Sequence, residues 1–243
     1  MCGVFSADGV RLRQMLIGAL CAVLLVACGG SGGAGSPTPP TTQPPIVDRS
    51  FDFSLGNGGW LSGQADYTMD TAPADVVNDI RSLPAPFTGL GFYSAGTNRS
   101  DDLLIYVKTK LSGLVAGTTY RASVTVEFLT DVSSGCVGVG GSPGDSVWII
   151  TVVSTAEPLT TFNSGNQSVS GRDGIVLGTL ANSVPNCGER RWESKTVSTP
   201  SPSPLSVRAD ERGEAWFLVG LDSGFESFSR VYYRRFTVRL SPT

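Results

Sequence analysis

The sequence predicts an all-β chain whose main body is one antiparallel β-sandwich of jelly-roll type. Three observations lead there. From Ile46 onward apolar and polar residues alternate in short runs, and Gly, Asn, Asp and Pro recur between the runs. Almost no stretch repeats its apolar residues at the helical period. Finally, the 243 residues are 40% hydrophobic and 16% charged, a globular balance rather than a disordered one. The roughly 200 residues after Pro45 are enough for one domain with a sizeable core.

Residues 1–27 carry Arg11 and Arg13 ahead of an apolar stretch from Met15 to Ala27. That stretch falls short of the ~20 apolar residues a spanning helix needs, so it reads as an export signal peptide. Its end, Leu25-Val26-Ala27-Cys28, resembles the lipobox of bacterial lipoproteins. The resemblance implies cleavage before Cys28, palmitate-type acylation of its thiol and a chain held on the membrane outside the cytoplasm. More than one acyl chain would make that anchor stable. Gly29 stands where an Asp would resemble an inner-membrane retention signal, which favours the outer membrane in a host that has one. Residues 28–45 are Gly/Ser-rich, then Pro/Thr-rich. They read as a linker, flexible first and then extended at about 3.1 Å per residue.

Residues 46–243 form the sandwich domain. Thr119 to Leu129 is its clearest strand, with Tyr120, Ala122, Val124, Val126 and Phe128 on one face and Arg121, Ser123, Thr125 and Glu127 on the other. Leu103–Leu111, Val147–Val153, Ile175–Leu180 and Trp192–Val197 show further strand patterns. Leu205–Ala209 and Glu214–Leu221 flank Asp210-Glu211-Arg212-Gly213, which reads as a hairpin turn. Val231–Leu240 closes the domain. Asp75–Ser82, between Pro73 and Pro84, reads as a short helix.

Three stretches resemble the carbohydrate-binding-module and galactose-binding-like jelly rolls of secreted bacterial proteins. They are Phe51-Asp52-Phe53 through Gly58-Gly59-Trp60, Leu111 to Tyr120 with its strand to Phe128, and Val231 to Leu240. The resemblance implies the sandwich and a non-catalytic glycan-binding role. Where those modules often carry an Asp of a structural calcium site in the last strand, this chain has Arg.

Several chemistries drop out. Histidine is absent, which removes Ser-His-Asp and Cys-His catalysis and every His-bearing zinc site. Net charge is -3 and the doublets Arg190-Arg191 and Arg234-Arg235 are isolated, reading as solvated faces, so nucleic acid is not an expected partner. The stretch Gly135 to Gly144 has Pro143 where a dinucleotide fingerprint needs its third Gly, and no Walker Lys. It reads as a loop. Cys136 and Cys187 are the even pair left in the exported part, and a disulfide between them is expected.

Two sets of side chains remain as candidates. Tyr93 lies among Gly, Ser and Asn, and Trp192 follows two arginines; both are better sugar platforms than Trp60, Tyr67, Trp148 or Trp216, of which Trp148 and Trp216 read as core. Asp145, Asp222 and Glu226 in loops complete the ligand-binding set. Asp101 and Asp102 precede a strand and could hold calcium, the one inorganic candidate; no organic cofactor is expected. The leading reading is a lipid-anchored glycan-binding protein of the cell envelope. Two others stay open: a structural or protein-interaction envelope lipoprotein without a small-molecule site, and a carboxylate-dependent glycosidase or lyase.

Overall fold

The computed structural model describes residues 43–163, 166–170 and 174–243. Cys28, the segment expected to be a signal peptide and most of the expected linker lie outside them. In chain order the strands begin with β1 (Val47–Asp52), β2 (Leu61–Ala65), β3 (Tyr67–Thr68), β4 (Ala74–Ser82) and β5 (Leu90–Thr97). There follow β6 (Leu103–Leu111), β7 (Thr119–Thr130), β8 (Val147–Ser154), β9 (Thr160–Asn163) and β10 (Asn166–Val169). The last are β11 (Ile175–Thr179), β12 (Glu193–Ser198), β13 (Ser206–Arg208), β14 (Ala215–Ser223) and β15 (Phe228–Pro242).

Two antiparallel sheets make the sandwich. The first runs β12-β7-β15-β5-β4, with β1 paired along the second half of β15 and β13 along the start of β7. The second runs β11-β8-β14-β6-β2. Strand alternation explains the core. Val124, Val126 and Phe128 of β7 and Val231, Phe236 and Val238 of β15 face Val107, Ile149, Phe217 and Val219 of the second sheet. At one end Trp60 plugs the core edge-on, with ring centroids 5.1 Å from Phe51, 5.2 Å from Phe236 and 5.6 Å from Phe217.

The second sheet is buried on both faces, which is why β6, β8 and β14 read as nearly unbroken apolar runs. Its outward Leu104, Tyr106, Ile150, Val152 and Leu218 form a second cluster with Val169 of β10. That strand belongs to a small third sheet, β3-β10-β9. Among the described residues nothing covers the outer face of the first sheet in this way: Ser123 and Arg239 on it are exposed, and Thr125 and Thr237 half-buried.

Two local expectations are corrected. Asp75–Ser82 is not a helix but most of β4, an edge strand paired with β5. Val76, Val77 and Ile80 suit a pleated surface, and a register shift between Ala74 and Val77 sets the strand's start. Asp210–Gly213 does form a tight turn, closed by Gly213 N–H to the Asp210 carbonyl at 3.1 Å. It is not a hairpin, however: β13 pairs with β7 in the first sheet and β14 with β6 and β8 in the second. The turn crosses from one sheet to the other.

Candidate functional site

On the open face of the first sheet, aromatic rings and guanidinium groups line up across the strands. Phe92 and Tyr233 point into the core, so their neighbours Tyr93 and Tyr232 point out. The two lie directly opposite each other in the β5–β15 pairing, with ring centroids 4.8 Å apart. Tyr232 also faces Leu129 of β7. Beyond it Trp192, just ahead of β12, meets Tyr232 edge-on at 5.3 Å. Arg81 from β4 caps Tyr93 at 4.3 Å, and Arg230 lies 5.0 Å from the Trp192 ring centroid. The sequence Arg81–Tyr93–Tyr232–Trp192–Arg230 is therefore one continuous row. Cation–aromatic contacts of this kind contribute about 0.5–2 kcal/mol each.

Asp131, at the end of β7, anchors the row. Its carboxylate is only 3% exposed; it accepts two hydrogen bonds from Arg230 and lies 3.6 Å from Arg190. The bond to Asp131 holds Arg230 more firmly charged. Tyr93 is only 6% exposed, so it serves as the base on which Arg81 and Tyr232 pack and offers no free ring face. Burial raises its hydroxyl's pKa, the nearby Arg230 working against that. Accessible ring surface on the row belongs to Tyr232 and Trp192, both half-buried.

Beside the row, β15 carries a bulge: its pairing with β7 shifts between Tyr233 and Arg235. Tyr233 and Phe236 both point inward, so Arg234 and Arg235 are turned together toward the open face. Arg235 pairs with Asp52 at 2.9 Å and lies 4.0 Å from Glu127. A hydrogen bond from Ser54, seconded by Arg235, pulls the Asp52 carboxyl down to about 2. These groups, with Arg234, Ser54, Thr88 and Leu90, line a recess of about 210 Å³.

Trp192 comes from a loop fastened to the glycine-rich loop ahead of β8. Cys136 and Cys187 form the expected disulfide between the two. Asn182 N–H donates to the Val132 carbonyl at 2.7 Å, Ser133 Oγ donates to the Glu189 carbonyl at 2.8 Å, and Asn182 Nδ2 donates to the Arg191 carbonyl at 2.9 Å.

The acidic candidates gather at this same end of the sandwich but not on one point. Asp145 is spent on its own loop, accepting from Gly135 N–H at 2.7 Å and Ser142 Oγ at 3.1 Å. Glu226 is exposed in the turn after β14, its N–H bonded to the Val139 carbonyl at 2.9 Å. Asp222 sits on β14 in the second sheet, opposite Trp148 and Leu104 and away from the row. Asp101 and Asp102 are exposed ahead of β6, and among the described residues no three acidic or cysteine side chains are grouped to hold a metal ion. Of the five expected ligand contacts, Tyr93 and Trp192 are brought together and the three carboxylates are not.

The remaining aromatics part company. Trp60 is core, and Trp148 packs on the outer cluster of the second sheet. Trp216 departs from its core reading: it is half-buried on the outside of that sheet, 5.6 Å from Lys108 Nζ and 5.5 Å from Lys110 Nζ. Tyr67 is half-buried in β3. The residue the sequence reading missed is Tyr232, which joins the two it found. The Tyr232-Tyr233 doublet held the signal, since two successive strand residues must face opposite ways.

No protein-family model matches the chain, and no curated protein matches it. Among solved structures it is similar to TmCBM27, a carbohydrate-binding module studied for specific mannan recognition, at 9% identity and a TM-score of 0.41, over 81% of this chain and 97% of that one. It is also similar to a non-crystalline-cellulose-specific module, CBM28, at 12% identity and a TM-score of 0.37, over 79% and 91% of the two chains. A cleaved adhesin domain of Lys-gingipain from Porphyromonas gingivalis matches at 11% identity and a TM-score of 0.37, over 81% and 99%. No residue of this chain takes a role from these likenesses.

Proposed function

We propose that this domain binds glycans without chemistry, on the open face of its first sheet. One observation carries the reading: the row from Arg81 to Trp192 and Arg230 sets partly accessible aromatic rings among fixed guanidinium and carboxylate groups. Sugar rings present apolar C–H faces that pack on Tyr232 and Trp192, while their hydroxyls take hydrogen bonds from arginines already held in place. Preorganisation of this kind lowers the entropic cost of binding.

The proposal extends to location. The signal-like segment and Cys28 support a chain acylated at that thiol and tethered through residues 29–45 in the bacterial envelope. Residues 43–46 run beside Ser241 and Pro242. Ten residues of β15 separate Pro242 from Tyr232, about 33 Å of strand. The row thus stands at the far end of the domain from where the linker enters, a placement suited to meeting material outside the membrane.

Affinity electrophoresis of the purified chain through gels containing mannan, galactan, xylan, polygalacturonate or alginate tests the binding claim. At least one polymer is expected to retard the wild type, and the W192A/Y232A variant is expected to lose most of that retardation with its far-UV spectrum unchanged. Free migration of the wild type through all of them would discard the proposal.

A further inference from the structure

Six guanidinium groups crowd the open face around the aromatic row, and five of them are answered by carboxylates. Arg81 pairs with Asp79 at 2.8 Å, Arg191 with Glu193, and Arg235 with Asp52 at 2.9 Å. Arg230 and Arg190 share Asp131. Arg234 is the exception. Its one polar contact among the described residues is a long hydrogen bond to Ser194 Oγ at 3.5 Å, and no acidic side chain lies within salt-bridge distance. It is half-buried, on the same outward face as Tyr232 two residues before it, and it stands at the wall of the 210 Å³ recess.

The bulge that follows turns Arg235 to the same face, where it draws in the Asp52 and Glu127 carboxylates beside Arg234. Guanidinium offers a planar fork that matches a carboxylate with two parallel hydrogen bonds. Arg234 also lies two residues along the strand from Tyr232, about 7 Å away. A sugar ring on Tyr232 would therefore leave its neighbour's substituent within reach of the recess. The hydroxyls of Ser54 and Thr88 and the apolar side chains of Leu83 and Leu90 complete its walls.

We infer that the glycan taken by this face is an acidic polysaccharide, and that Arg234 binds its carboxylate. The inference rests on the glycan-binding reading above and adds the ligand's charge class. The Asp52 and Glu127 carboxylates on the recess are both turned to Arg235, which leaves Arg234 as the group available to an incoming anion.

The test uses the full chain and three acidic polymers, polygalacturonate, alginate and hyaluronate, each beside a copy whose carboxylates have been chemically reduced to alcohols. The quantity read is the ratio of affinities for the acidic polymer and its reduced copy, in low salt. The wild type is expected to prefer at least one acidic polymer by about ten-fold, the scale of one charge-assisted contact on a partly exposed surface. R234Q should bring the ratio close to one, and R234K, which keeps the charge but not the fork, should give an intermediate value. Equal binding of acidic and reduced polymers by the wild type overturns the inference while leaving glycan binding intact. So does a preference that survives in R234Q. Failure of every polymer, acidic or reduced, to bind is instead the failure of the glycan-binding reading itself. Far-UV spectra of both variants show that a lost preference is not lost folding.

Discussion

Replacing Cys136 and Cys187 together by serine probes the joint between the glycine-rich loop and the loop that presents Trp192. The bridge spans a sequence separation of 51 residues. In the chain-entropy picture, freeing a loop of that length relaxes the unfolded chain by about 4 kcal/mol at 25 °C. For a domain of roughly 200 residues each kcal/mol moves the melting temperature by about 2–4 °C. The double variant should therefore melt some 8–16 °C below the oxidised wild type, with reduced wild type falling beside it. The native fold itself should persist, because Ala181 N–H still reaches the Gly144 carbonyl at 3.1 Å and Asn182 N–H the Val132 carbonyl at 2.7 Å. Circular dichroism melts of the three samples make the comparison. The same samples should lose affinity for any polymer that retards the wild type, since Trp192 and Arg190 hang from the released loop. A melting point within about 2 °C of the wild type would refute the loop argument.

Other perturbations follow from single groups. The Tyr233 hydroxyl is buried with no hydrogen-bond partner among the described residues, and burial pushes its pKa far up; Y233F should leave stability unchanged or raise it by about 1–2 kcal/mol in urea titrations, and a clear loss would reveal a partner. Gly213 has φ +70° at the turn between the sheets, and an added Cβ would run into the Leu114 carbonyl oxygen, so G213A should cost about 3 kcal/mol in the same assay. The Glu193 carboxyl is drawn from 4.5 to about 2 by Arg191 and then Ser183, and that of Asp52 from 3.8 to about 2 by Ser54 and Arg235. Because both pKa values are lower in the folded state, their stabilisation is present above about pH 4.5 and is lost as pH falls toward 2. Urea midpoints of wild type should drop over that interval. Those of D52N/E193Q should start lower at pH 7 and drop less.

Much of the fold was legible because alternation is a strong signal where one sheet face is wet and the other dry. Thr119–Thr130 matches its pattern almost end to end, and Leu103–Leu111 coincides with its strand. Legibility failed where a tertiary partner decides the matter. Asp75–Ser82 takes strand form because β5 offers it an edge, a fact absent from its own composition. The turn at Asp210–Gly213 has hairpin chemistry, yet which sheet each flanking strand joins is set by burial across the whole sandwich. Trp216 alternates correctly but on a sheet with two covered faces, where alternation does not distinguish inside from outside. At the site, Tyr93 and Trp192 stood out by their polar surroundings, whereas the pairing of Arg234 with Arg235 on one face could not: in an unbroken strand the two would point to opposite faces. The bulge after Tyr233, invisible in the sequence, turned Arg235 to the face that Tyr232 and Arg234 share.

Contact of the ligand with Tyr232 and Trp192 can be read from the indole N–H signals. The chain has four tryptophans; Trp60 is buried in the core, Trp148 and Trp216 belong to the second sheet, and Trp192 alone lies on the open face of the first. With nitrogen-15 in the indoles and the signals assigned through W192F, a retarding polysaccharide should shift the Trp192 resonance and leave the other three in place. Movement of Trp148 or Trp216 with Trp192 unmoved would contradict that contact and put the binding surface on the opposite sheet.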